Sequence, residues 1–236
     1  MTVEEMLYSF VLKGKSLDRP EIDVLRTDDI IQYLNYAQTW VVQDLINKKD
    51  LAQLRPVIIS GEYTGATNPT FNTSYTTGIA GSKCVDLSGI TSLISPAPSI
   101  LKYKQYIRSN SKITRSAVPA VTDKYFANED IDPDTRKFYE TNTNNIPIFA
   151  NPKTFIEGNY LIIIPDGYST ISSIQVTYVR DAKILNLSTV SADLATSSEL
   201  PVGLHDAIVD IALKLAKETI NINDIKKQND GSRNAS

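Results

Sequence analysis

Apolar residues recur at helical spacing near both ends of the chain, and between those ends they alternate or run together as strands do. Val3, Met6, Leu7, Phe10 and Val11 repeat at intervals of three and four. Thr2 and Glu5 stand ahead of them at capping-box spacing, and Gly14 closes the pattern. After a loop containing Arg19 and Pro20, the run TDDIIQYLNYAQTWVVQDLINKKD predicts a longer helix. Thr27 or Asp28 caps it, and acids in its first turn and Lys48 and Lys49 at its far end suit the helix dipole. Ile30, Leu34, Ala37, Val41 and Leu45 line one face, widened by Ile31, Val42 and Ile46.

From about Arg55 to Ile184 the signals become strands and turns. RPVIISGEY is a short apolar run closed by glycine, and the Gly-, Ser-, Thr- and Asn-rich stretch over 64–83 reads as a long loop or hairpin tip. SILKYKQYIR alternates, with Leu101, Tyr103, Gln105 and Ile107 on one face and Lys102, Lys104, Tyr106 and Arg108 on the other. DIDPDTRKFYE predicts a short helix capped by Asp132, with Pro133 at its first position. The following segment reads as a meander. It runs from Phe155 through Gly158-Asn159 into 160–164, then through Pro165-Asp166-Gly167 into 173–180, with Ile174, Val176 and Tyr178 facing inward. A polar spacer precedes a final helix whose stripe is Leu204, Ile208, Ile211, Ala212 and Leu215, backed by Ala207 and Ala216.

These elements predict an α+β protein in which terminal helices pack together and carry a central antiparallel β-rich insert. The expected division is a helical domain over 1–54 and 200–222, a β-rich domain over 55–185, a linker over 186–199 and a flexible C-terminal tail over 223–236. At 236 residues, 42% hydrophobic and 22% charged, the composition is that of an ordinary soluble globular protein. A net charge of −3 gives no overall attraction to nucleic acid or to anionic membranes. The longest apolar run, Tyr160 to Ile164, is far too short for a membrane span. The acidic start MTVEEMLYSF lacks a signal-peptide core. A single cysteine, Cys84, forms no intrachain disulfide and fits synthesis in a reducing cytoplasm.

Candidate chemistry is sparse. His205, the only histidine, adjoins Asp206, but neighbours on a helix point about 100° apart and cannot form an oriented pair, so a surface or interface histidine is expected. Cys84 reads as a small buried apolar residue. Asp130, Asp132 and Asp134 have the opening spacing of a calcium loop, but Thr135 and Thr141 replace its glycine and bidentate acid, leaving capping as the better account. TTGIAGSK lacks the spacing of a phosphate loop. The strongest charge feature is the strand carrying Lys102, Lys104, Arg108, Lys112 and Arg115 with Tyr103 and Tyr106, which suits phosphates, a solvated face or a subunit contact. Trp40, at the edge of its helix stripe, is expected to anchor a core or an interface. No catalytic, cofactor or metal site is expected, and a structural or binding role is favoured over an enzyme.

Three stretches resemble the head–tail connector (adaptor or tail-ring) proteins of tailed bacteriophages. DRPEIDVLRTDDIIQYLNYAQTWVVQDLI is similar to their opening helix, with its Asn-x-Ala step at Asn35, Tyr36 and Ala37. IPIFANPKTFIEGNYLIIIPDGYSTISSIQVTYVRDAKIL is similar to their hairpin, with Pro165, Tyr178, Arg180 and Leu185 in the matching places. ELPVGLHDAIVDIALKLA resembles their closing helix, through Leu200, Pro201, His205, Asp206, Ala207 and Ile208. The Asn-, Ile-, Ser- and Thr-rich composition also suits crAss-like phages, whose tail is a barrel of stacked rings. The loop at 64–83 and the insertion over 108–145 depart from the family pattern.

The resemblance implies a mechanical role in the virion and no enzyme activity. Twelve copies would form a ring coaxial with the portal protein, extend the DNA channel used in ejection and dock neighbouring tail or ring proteins. DNA would pass without sequence-specific binding, and no membrane or cofactor is involved. The expected interface residues are Lys102, Lys104, Tyr106, Arg108, Trp40 and His205. The rival reading is a nucleic-acid-binding module built on the Lys102–Arg115 strand. A glycan-binding module using Tyr63, Phe71 and Tyr75 stands third, and a hydrolase fourth.

Overall fold

Helix α1 (Val3–Lys15) forms where the sequence places it, and its capping box closes in both directions. The Thr2 N–H donates to Glu5 Oε2 at 2.8 Å, and the Glu5 N–H donates to Thr2 Oγ1 at 3.2 Å. Val3, Met6 and Phe10 are buried, and the helix runs one residue past Gly14, itself buried. The computed structural model describes residues 1–15, 25–68, 71, 81–88, 90, 103–135, 138–139, 147–188 and 194–233. The Arg19-Pro20 loop lies outside them.

Helix α2 (Thr27–Asn47) buries Ile30, Leu34, Ala37, Val41, Val42 and Leu45, the stripe expected from periodicity. Its cap is Arg26, one residue ahead of the expected Thr27 or Asp28. The Arg26 N–H donates to Asp29 Oδ2 at 3.2 Å, the return half of a capping box; an arginine side chain has no acceptor to supply the other half. A short helix α3 (Leu51–Leu54), capped by Asp50, and a 3₁₀ turn over Arg55–Val57 lead out of this region.

Two compact units divide the chain at Val57/Ile58 and Arg180/Asp181. The helical unit joins α1–α3 to helix α4 (His205–Arg233), with α2 and α1 packed against α4. The buried stripe of α4 is His205, Ile208, Val209, Ala212, Leu213 and Ala216, rotated from the expected one, so that Ile211 and Leu215 are only half-buried. The backbone stays helical through Arg233, where a flexible tail was expected from 223 onward. Once a packed amphipathic segment has nucleated the helix, each further residue adds a hydrogen bond at little cost, with or without apolar anchors.

The expected linker over 186–199 is structured at both ends. Strands β9 (Ile184–Leu185) and β10 (Leu194–Ala195) pair in parallel, the Val3 N–H donates to the Thr196 carbonyl at 2.7 Å, and Thr2 bridges Ser197. Two amides of α2 fasten this segment. Asn35 Nδ2–H donates to the Leu185 carbonyl at 3.1 Å and its Oδ1 accepts the Leu185 N–H at 2.7 Å, as a neighbouring strand would. Gln38 Nε2–H donates to the Lys183 carbonyl at 2.8 Å and its Oε1 accepts from Ser198 Oγ at 2.7 Å.

The β unit holds two four-stranded sheets, ordered β1-β8-β3-β4 and β2-β7-β6-β5. The strands are β1 (Ile58–Tyr63), β2 (Lys83–Asp86), β3 (Tyr103–Arg115), β4 (Val121–Ala127), β5 (Glu129–Asp130), β6 (Lys153–Glu157), β7 (Tyr160–Ile164) and β8 (Ser169–Arg180). All pairings in them are antiparallel except β5 with β6. β6 and β7 form the expected hairpin through Gly158, at φ +60, and Asn159. The expected meander ends there. β7 and β8 belong to different sheets, so Pro165-Asp166-Gly167 is a crossing between sheets and β8 pairs with β1 and β3. Gly61 sits within β1 and does not close it.

One core fills the space between the sheets, from Tyr63, Val85, Ile113, Leu161, Ile163, Ile171, Ile174, Val176 and Tyr178, with Phe71, Leu87 and Ile90. Ile162 and Ile164 point the other way, into a second cluster with Cys84 and Phe155. β7 is therefore buried on both faces, which explains why it is written as an unbroken apolar run.

Candidate subunit interface

The basic strand is reorganised by two bulges. In the pairing of β3 with β8, Tyr103 faces Arg180 and Gln105 faces Val179; then Tyr106 faces Tyr178 and Arg108 faces Thr177. Lys104 and Ile107 are thus the extra residues, and each bulge resets the alternation by one. Tyr103, Tyr106, Ser109, Ser111 and Ile113 consequently share the inward face, whereas strict alternation puts Tyr106 beside the cations. The Tyr106 ring packs on the core, and its hydroxyl is engaged by Ser109 Oγ at 3.0 Å and Asp130 Oδ1 at 2.9 Å. Burial pushes this phenol above its ordinary value, and likewise raises the Asp130 carboxyl. Tyr106 is thus a half-buried residue packed on the β core, on the face opposite Lys104 and Arg108 and not beside them as expected.

The cations of this strand are divided in role. Arg115 donates from Nε to Asp166 Oδ2 at 2.9 Å and from Nη1 to the carbonyls of Ala117 and Pro119. The other Asp166 oxygen accepts the N–H groups of Tyr168 and Ser169, so this pair fixes the crossing between sheets. Lys112 approaches Asp123 at 3.9 Å. Lys104 and Arg108 stand exposed on the outer face, and Lys102 lies outside the described residues. Two of the five cations, Lys112 and Arg115, thus already face carboxylates of the same chain.

His205 is only 3% exposed, where a surface or interface histidine was expected. As the first residue of α4 it falls on the buried stripe, and its ring bridges two backbone groups. Nε2 lies 2.8 Å from the Leu200 carbonyl, an acceptor, so that nitrogen carries the proton. Nδ1 then accepts from the Met1 amine at 2.8 Å. The adjacent Asp206 turns outward, where it and Asp210 approach Lys13 of α1 at 3.6 and 2.7 Å. The Asp210 hydrogen bond raises the Lys13 ammonium above its ordinary value.

Trp40 is 55% exposed and Tyr36, one turn before it, 56% exposed. Both lie off the stripe that α2 buries. Tyr8 and Leu12 hold the corresponding places on α1, at 71% and 55%. Periodicity could have found these last three: they are large apolar residues at positions outside a stripe that is already complete.

The other candidates resolve into structure. Cys84 is buried, and its thiol is pushed up to about 11 by that burial. Asp132 Oδ1 accepts the Asp134 N–H at 2.9 Å at the start of a 3₁₀ turn over Pro133–Thr135, which is capping as expected. Tyr63 and Phe71 are each 2% exposed, which removes the expected aromatic platform; Tyr75 lies outside the described residues. Among the described residues no three His, Cys, Asp or Glu side chains gather as a metal site. Among them also, no helix is long and apolar enough to cross a membrane.

Searched against known protein families, the chain matches no family model, and no curated protein matches it.

Proposed function

We propose that this chain is a structural ring protein of the head–tail connector or tail barrel of a tailed bacteriophage, assembled from twelve copies coaxial with the portal. The ring extends the channel through which DNA leaves the head and docks the next tail component. The observation that carries this reading is the outward pair Tyr36 and Trp40 on α2, a helix whose inward stripe is already complete. Exposed tryptophan and tyrosine at helical spacing are the residues that anchor protein interfaces. The order helix, helix, β insert, helix supports it, as do the residue patterns shared with connector proteins. A net charge of −3 suits a conduit that must not hold DNA. Lys104 and Arg108, exposed on β3, offer a second contact suited to an acidic surface of a neighbouring ring.

Native mass over a wide concentration range tests the proposal. A discrete species of about 310 kDa, twelve times the 26.1 kDa chain, is expected for a self-closing ring. A monomer at every concentration would overturn self-closure. Affinity for free duplex DNA falling linearly with log salt would support the nucleic-acid module in its place.

A further inference from the structure

We infer that strand β1 of one copy pairs, edge to edge and antiparallel, with strand β4 of the next, carrying the four-stranded sheet across the subunit boundary. The inference rests on the ring reading and names a backbone contact that joins its copies. An open sheet edge presents N–H and C=O groups at every second residue, and proteins ordinarily cover, shorten or charge it. Other edges of this chain are closed in that way. At the edge of β2 the Asn68 amide holds Asp86, donating Nδ2–H to its carbonyl at 3.2 Å and accepting its N–H at Oδ1 at 3.4 Å. Asn35 holds Leu185 of β9 in the same manner. Thr2 and Val3 cover the chain just after β10, at Ser197 and Thr196. β5 is only two residues long.

β1 and β4, the two edges of the other sheet in the β unit, are left open. Among the described residues, no hydrogen bond reaches the backbone of Ile58–Tyr63 except from β8, or that of Val121–Ala127 except from β3. β1 keeps one register from Ile58 to Tyr63. β4 keeps one from Lys124 to Ala127, beyond Asp123, whose φ of +50 interrupts the strand before that run. Strand direction and charge select a second copy as the occupant. The pairings β1–β8, β8–β3 and β3–β4 are all antiparallel, so β1 and β4 run in opposite directions. Set side by side, β4 of one copy and β1 of the next continue that alternation. β1 carries one charged residue, Glu62, and the regular run of β4 carries one, Lys124. Two β1 edges would bring two carboxylates to one seam, and two such runs of β4 would bring two ammonium groups. β1 with β4 brings one of each. The two edges are different surfaces of one protomer, so the contact is heterologous and repeats from copy to copy, as ring closure requires.

Amide hydrogen exchange of the full-length chain tests the pairing without any substitution. In the high-mass species, segments 58–63 and 124–127 are expected to exchange on the order of tenfold slower than in the chain dissociated by dilution, because their outward N–H groups gain acceptors. Lys124→Glu is expected to weaken assembly about two- to fivefold, and Glu62→Lys in the same chain to restore it. Suppose the unsubstituted protein forms a ring and neither segment slows. The pairing is then wrong and the ring reading stands. Slowing at only one of the two segments also overturns the pairing, since like edges or a strand from another protein would then be joined. Slowing at both in a species of two copies alone keeps the pairing and overturns the ring. A monomer at every concentration overturns both.

Discussion

On the outer faces of α1 and α2 the aromatics Tyr8, Tyr36 and Trp40 stand more than half exposed, whereas between the sheets of the β unit Tyr63, Phe71 and Tyr178 are at 2% or less; each unit also holds the opposite case, Phe10 buried in the first and Tyr168 exposed in the second. The difference follows from how each architecture buries surface. A helix packs one stripe and leaves the rest of its circumference to solvent, so a large apolar residue off that stripe has no place inside its own unit. Two facing sheets enclose every inward position between them, and there an aromatic ring is filler. Outward aromatics on α1 and α2 thus point to a partner, and inward ones on β1 and β8 to the fold. The β unit carries its own cost for this. The hydroxyls of Tyr63 and Tyr178 are buried near each other without meeting hydrogen-bond geometry among the described residues, and burial raises both phenols.

The sharpest way to break this comparison is at the crossing between sheets. Asp166→Ala would leave Arg115 buried without its carboxylate and release two N–H groups, an expected loss of about 3–5 kcal/mol in denaturant unfolding. Next in size is Leu34→Ala, at a position with no exposed surface in the helical core, expected to cost about 3 kcal/mol. Gly61→Ala is smaller but specific to the β unit. An added Cβ there would lie 2.7 Å from the Tyr63 hydroxyl, and that ring is held in the core, so a loss of about 1–3 kcal/mol is expected. Tyr63→Phe in the same background should recover part of it, because the clashing oxygen is gone.

A weaker effect concerns acid. Ser173 and Tyr125 donate hydrogen bonds to Glu62 and hold its carboxyl below the ordinary 4.5. A carboxyl depressed in the folded state contributes stability above its unfolded value and loses it as pH falls through the folded one. Melting temperature should therefore drop less on acidification in Glu62→Gln than in the unsubstituted protein, and equal slopes would count against this cluster. Smallest of all for the fold is Trp40→Ala, expected to change monomer stability by no more than about 0.5 kcal/mol. It should nevertheless diminish the high-mass species. A large stability loss there would mean that the residue serves its own unit after all.

What the sequence determined by itself is what short-range chemistry controls. The α1 capping box, the stripe of α2 and the β6–β7 turn were legible because their hydrogen bonds close within a few residues and the period of a helix cannot slip. Trp40 was legible as an anchor at the edge of its stripe, for a core or an interface alike; Tyr36 was not singled out, although the same periodicity leaves it off the stripe. The tertiary structure decided what depends on a distant partner. The bulges at Lys104 and Ile107 exist only in the pairing of β3 with β8, and they move Tyr106 from the charged face to the core. The allocation of β7 and β8 to different sheets rests on hydrogen bonds to β2, β6, β1 and β3, which no local turn signal encodes. His205 became an interior bridge because Leu200 and Met1 meet its two nitrogens, and Asn35 became a clamp because Leu185, 150 residues away, offers it a free strand edge. Side-chain amides and imidazoles are adaptable hydrogen-bonding groups, so their roles are set by whichever backbone arrives beside them, and that is a property of the assembled fold.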